Sequence, residues 1–167
     1  MYRACVLAAA VAFFSAASVQ AQTAPAPGPV TVVGLTGTPV ALSQAMLASL
    51  PSATLHVSFG TDHGPTSATF QGPLLWTVLV HEGAVSATRP RDAVRQVLLV
   101  TGSDGYSAVL ALGEIAPQFE GKQAILTDSM NGRPLGLGHW RIVIPGEHRG
   151  GRDVRNVARL QLLAPQA

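Results

Sequence analysis

From Val30 onward the chain alternates short apolar runs with turn residues, and the period of each run predicts an element. Val30 to Leu35 and Pro39 to Leu42 read as short strands joined at Thr36-Gly37. Ser43 stands where an N-cap belongs for a short helix through Leu50, which Pro51 stops. Leu55, Val57 and Phe59 alternate with Thr54, His56 and Ser58, the period-2 pattern of a strand with one buried side. A loop rich in Gly, Asp and His follows, Gly60 to Pro65. Pro73 at a first helical position, the i,i+4 pairs Leu74/Val78 and Leu75/Leu79, and Gly83 just past the end predict a second helix, the clearest in the chain.

Ala87 to Asp92 reads as a polar loop, and Val97 to Val100 as a continuous β-branched and leucine run, expected of a strand covered on both faces. Arg141 to Ile144 is a second continuous apolar strand, ended by Pro145-Gly146. Asp104-Gly105 supplies a turn into Tyr106 to Leu112, and Asn131-Gly132 separates Ala124 to Thr127 from the segment after Arg133. Val154 to Leu163 is the last strand region. The pattern predicts an α+β chain, mainly β with mixed sheets and two or three short helices, and not a βαβ repeat.

The N-terminus does not fit this pattern. Residues 1–21 have Arg3 in a short basic start, an apolar stretch from Ala4 to Ala17 and Val19-Gln20-Ala21 as a small-x-small cleavage site, which together read as an export signal. The apolar stretch is about 14 residues, against roughly 20 for a spanning helix. An Ala/Pro linker, residues 22–29, leads to a single domain, residues 30–164. The expected product is a periplasmic or secreted protein with no membrane span in its mature form. Removal of the signal also removes Cys5, the single cysteine, so disulfide scaffolds, thiolate zinc sites, iron–sulfur clusters and cysteine nucleophiles are excluded for the mature chain.

A net charge of +2 over 167 residues gives no case for a nucleic-acid partner. Between Arg133 and Arg159, however, six arginines face only Glu147 and Asp153, so an anion finds its best partner there. Other chemistry is sparse. The five histidines show no H-x-H or H-x-x-x-H spacing; His63 beside Asp62 in a glycine loop is the best local ligand candidate, against the reading of a solvated loop histidine. Gly102-Ser103-Asp104-Gly105 is a turn and not a nucleophile elbow. Trp76 and Trp140 read as core or half-buried anchors.

Four blocks occur in a telling order: Phe70-Gln71-Gly72-Pro73-Leu74-Leu75-Trp76-Thr77-Val78-Leu79, Gly102-Ser103-Asp104-Gly105-Tyr106, Arg141-Ile142-Val143-Ile144-Pro145-Gly146 and Arg149-Gly150-Gly151-Arg152-Asp153-Val154-Arg155. Their order resembles the oxidoreductase molybdopterin-binding domain of the sulfite oxidase family, over Val30 to Leu163. That resemblance implies a molybdopterin cofactor, or another phosphate-bearing small molecule, held by the basic positions Arg152 and Arg155 after Gly150; Arg149 and His63 are further binding candidates on the residues themselves. Arginine forks and bare glycine backbone suit phosphate oxygens. On the residues alone, the competing reading is that Arg152, Arg155 and Arg159 solvate the outer face of the last strand.

One departure limits what the resemblance implies. The family ligates molybdenum through a cysteine thiolate in the strand-loop before the aromatic-x-G block, and Val57-Ser58-Phe59-Gly60-Thr61 here contains no sulfur. A serine hydroxyl is a hard, high-pKa group and a poor replacement. Two functions therefore stand open: a pterin- or phosphate-binding oxidoreductase-like domain, and a cofactor-free binding or accessory module acting on a periplasmic protein partner.

Overall fold

The computed structural model describes residues 28–61 and 64–164. The expected signal segment, most of the linker, and His63 lie outside the described residues. The fold is α+β, with short strands, four short helices and mixed sheets.

One sheet has five strands: β1 (Thr31–Val33), β2 (Pro39–Ala41), β5 (Val97–Gly102), β6 (Ser107–Ala111) and β11 (Val157–Leu163), in the order β2-β1-β11-β5-β6. The β1–β11 pair is parallel and the other pairs are antiparallel, so the first and last strands of the fold meet in the middle of this sheet. A second sheet, ordered β3-β4-β8-β9, comprises β3 (Ser52–Thr61), β4 (Gly64–Pro73), β8 (Ser129–Met130) and β9 (Arg133–Pro134). The remaining ladder pairs β7 (Ile125–Thr127) with β10 (Arg141–Val143).

The helices are α1 (Gln44–Ser49), α2 (Leu75–His81), α3 (Pro90–Ala93) and α4 (Leu112–Ile115), with a 3-10 turn at Gly150–Arg152. The Ser43 hydroxyl caps α1 by accepting from the Met46 N–H at 3.1 Å, as the sequence predicts. Helix α2 buries Leu75, Trp76, Val78 and Leu79. None of the helices among the described residues is long and apolar enough to cross a membrane.

Two apolar clusters hold the fold. The larger lies against the five-stranded sheet and takes in α2, with Val32, Leu79, Leu98, Leu110 and Leu160 among its members. The smaller sits under the β3–β4 hairpin: Leu55, Val57, Phe59, Ala68, Phe70, Ile125 and Val143. The β7–β10 ladder is shared between them, since Leu126 and Ile142 belong to the larger cluster while Ile125 and Val143 belong to the smaller. Alternate residues of a strand point to opposite faces, so a strand with a core on each side must be apolar on both, as Ile142, Val143 and Ile144 are.

Several expectations change. Pro73 closes β4, and α2 starts at Leu75; the strand before it passes unnoticed because Thr66, Ala68 and Phe70 form a weak alternation. The Gly60–Pro65 loop is mostly strand, with β3 and β4 paired out to Thr61 and Gly64. Residues 90–92 of the expected polar loop fall in α3. Strand β5 alternates buried and half-buried positions, so one of its faces is partly open instead of covered.

Candidate functional site

The alternation in β3 and β4 turns Phe59, Ala68 and Phe70 to one side of the hairpin, with Leu55 paired to Phe70, Val57 to Ala68 and Phe59 to Thr66. Where this face meets the chain from Leu135 to Arg141 and the residues Arg155 and Asn156, a cleft of about 490 Å³ remains. Its lining is mostly apolar, including Phe59, Phe70, Met130 and Trp140, and its polar groups come from Thr66, His139, Arg141, Arg155 and Asn156. A volume of this size suits a small organic ligand, and few polar groups in an apolar wall suit orientation of such a ligand.

Arg141 begins β10 and is only 7% exposed. Its guanidinium carbon lies 5.0 Å from the Phe70 ring centroid and 5.7 Å from that of Phe59, so the cation is flanked by two aromatic rings. Asp153 answers its charge, with Oδ2 3.6 Å from Arg141 Nη2, while Asp153 Oδ1 accepts from the Ile144 N–H at 2.9 Å. Burial pushes the Arg141 pKa down; Asp153 pulls it up and neighbouring Arg155 pushes it down further. Burial likewise raises the Asp153 carboxyl above its ordinary range, and its bond from Ile144 and the charge of Arg141 only partly offset this. Arg141 Nε is buried without a hydrogen-bond partner. A buried donor left in this way costs about 1–3 kcal/mol, and its residue lines the cleft.

A backbone bridge sets Arg155 opposite Arg141. Arg155 is exposed, and among the described residues its side chain has neither a hydrogen bond nor an ion pair. Next to it, Asn156 takes a positive φ of 50°, and its Oδ1 accepts from His139 Nδ1 at 2.7 Å. With Nδ1 donating, neutral His139 keeps Nε2 as an acceptor. Among the described residues the cleft thus holds a buried cation paired with Asp153, an exposed cation with no hydrogen bond or ion pair, and an oriented imidazole.

The residues singled out from the sequence are separated by the fold. Arg155 lines the cleft. Arg152 turns away from it: Nη1 donates to both Glu114 carboxylate oxygens, at 3.1 and 3.2 Å, and Nη2 donates to Glu147 Oε1. Both carboxylates hold the Arg152 pKa well above its ordinary value. Glu114 is itself partly desolvated, yet its bonds from Arg152 and the Ala111 N–H, with the charges of Arg152 and Lys122, leave its pKa lowered. Arg149 is exposed, and its backbone bridges to Gly60 at the end of β3. Gly150 packs on an aromatic ring: a Cβ there would stand 3.1 Å from Phe59 Cδ2 and Cε2. His56 sits on the outer face of β3, bonded to the Thr69 hydroxyl. Among the described residues no three His, Cys, Asp or Glu side chains stand together as a metal site.

Sequence reasoning missed His139, Arg141 and Asn156 as site residues. Arg141 carried a usable signal, because a charge heading an all-apolar strand must be buried with a partner, and Asp153 is the only aspartate in the closing basic segment. The His139–Asn156 pairing had no such signal.

No family model and no curated protein matches the sequence. Among solved structures, the fold is similar to that of the sulfane dehydrogenase SoxCD from Paracoccus pantotrophus, with a TM-score of 0.62 and 18% sequence identity. The match covers 80% of this chain and 37% of that one, so this chain spans little more than a third of the chain it resembles.

Proposed function

We propose that this chain is an exported ligand-binding module built on the fold of a molybdopterin oxidoreductase domain, and that its cleft takes a planar, phosphate-bearing organic ligand of the pterin class. The observation that carries this reading is Arg155, without a side-chain hydrogen bond or ion pair among the described residues, beside the buried Arg141, whose Nε lacks a partner, in an aromatic-walled cleft. The fold likeness to the sulfane dehydrogenase and the order of sequence blocks that resembles the sulfite oxidase family support it.

The residues present suit the organic part of such a cofactor and not a thiolate-held metal. In the stretch where the family places its cysteine, Val57 and Phe59 are buried in the smaller cluster and Ser58 is exposed on the other face. No residue of the domain supplies sulfur other than methionine. The chemistry derived for this chain is therefore binding: Arg155 neutralises a phosphate, the buried Arg141 adds positive charge beside it, His139 accepts at Nε2, and Phe59 and Phe70 exclude water.

Purification from the periplasm of a cofactor-competent host tests the reading, with bound molybdenum and the fluorescence of oxidised pterin as readouts. Near-stoichiometric pterin with little molybdenum is the expected result. Traces of pterin only, together with no change in tryptophan fluorescence on titration with guanosine monophosphate or inorganic phosphate, would overturn it and leave a cofactor-free accessory module.

A further inference from the structure

The arginine that the sequence offers as a phosphate ligand is bound to two carboxylates, and those carboxylates lie on separate segments. Glu114 belongs to α4, 38 residues from Arg152, and Glu147 follows the Pro145-Gly146 turn. One residue earlier, the Gly151 carbonyl accepts from the Tyr106 hydroxyl at 2.6 Å. One residue later, Asp153 holds the Ile144 N–H and Arg141. Two further on, Arg155 enters the cleft, followed by Asn156 on His139. Underneath, bare Gly150 rests on the Phe59 ring, which is itself a cleft wall.

We propose that Arg152 and Tyr106 are positioning residues: by fixing the 150–152 turn from outside, to Glu114, Glu147 and the β6 hairpin, they set the register in which Asp153 orients Arg141 and Arg155 faces the ligand. This rests on the anion-binding reading of the cleft. The physical basis is that a few residues separate a turn held by charge-assisted bonds from the groups it serves, so little slack remains. A displacement of about 1 Å in a positioned group can cost as much as a hundredfold in function.

The two roles open to Arg152 give opposite signs in one experiment. In the double variant Glu114→Gln with Glu147→Gln, two negative charges disappear and the charge-assisted hold on Arg152 is lost. If Arg152 acts on the anion directly, the Kd for guanosine monophosphate falls. If it acts by positioning, the Kd rises, by about tenfold. Tyr106→Phe removes one exposed hydroxyl without altering charge, and the same Kd should rise about threefold, the effect of one hydrogen bond. Amide hydrogen exchange of the ligand-free protein should quicken at residues 153–156 in both variants. A Kd that tightens or stays unchanged in the double variant overturns the proposal. So does unchanged exchange at residues 153–156, which is readable even if the double variant is poorly folded, because Tyr106→Phe supplies it alone. Failure of the wild-type chain to bind the probe instead overturns the cleft reading, while the exchange data still decide whether the turn is held from outside.

Discussion

The two sides of the molecule use the shared β7–β10 ladder differently. Toward the five-stranded sheet, the ladder meets a cluster in which residues such as Leu75, Leu79, Leu98, Leu112 and Leu160 are fully buried against one another. Toward the β3–β4 hairpin its Ile125 and Val143 meet five buried hairpin side chains, with Ala53 and Leu74 packed against them, and a cleft with a buried cation lies on this side. The first side is organised by apolar area alone, worth about 25 cal/mol per Å² removed from water. The second is organised by Arg141, a buried cation faced by Asp153 and flanked by two aromatic rings. A side chain that costs stability where it stands, and keeps an unused donor there, is what the ligand-binding proposal rests on.

The largest expected effect breaks the cleft side. Arg141→Met removes the cation and leaves Asp153 buried without it, which should cost about 3–5 kcal/mol at neutral pH in a urea titration. Asp153 already has a raised pKa, so its contribution to stability is present at low pH and declines as pH rises through that value. The penalty of the variant should accordingly shrink on acidification. On the closed side, Leu79→Ala opens a void in the larger cluster and should cost about 2–5 kcal/mol with no dependence on pH. A pH-independent Arg141→Met alongside a pH-dependent Leu79→Ala would invert the comparison.

Smaller effects sharpen it. Gly105, at a φ of 84° in the Asp104-Gly105 turn, should lose about 1–2 kcal/mol on replacement by Val, because a β-branched side chain resists the left-handed region. An unshifted melting temperature would count against that turn. The smallest effect belongs to Glu114→Gln, at no more than about 1 kcal/mol. The lowered pKa of Glu114 means that its contribution is present above the ordinary glutamate range and is lost as pH falls through the depressed value. Wild type and variant should therefore differ near pH 7 and converge as pH falls below the ordinary glutamate range in thermal melts.

Much of the architecture was legible because periodicity is local. The buried face of β3, the Ser43 cap, the apolar β10 and both turn dipeptides each depend on residues within one short window. Strand β4 was not legible, since its inward residues include a small alanine and its outward ones are Ser, Thr and Gln, so its place is fixed by pairing with β3 along its whole length. The same limit applied to the site. Arg152 and Arg155 look alike in the sequence, three residues apart in one basic run, and only one of them reaches the cleft.

What the sequence determined by itself is the class of the fold and the chemistry withheld from it: period and turns specify α+β, and a domain without cysteine has no thiolate to offer. What only the tertiary structure decided is which cations are free. Charge pairing acts over about 4 Å, and the groups that come that close to Arg141 and Arg152 arrive from other elements, Asp153 from beyond the 3-10 turn and Glu114 from α4. A local pattern can place a charge on a strand or a turn, but its partner is chosen by the packing that brings distant segments together.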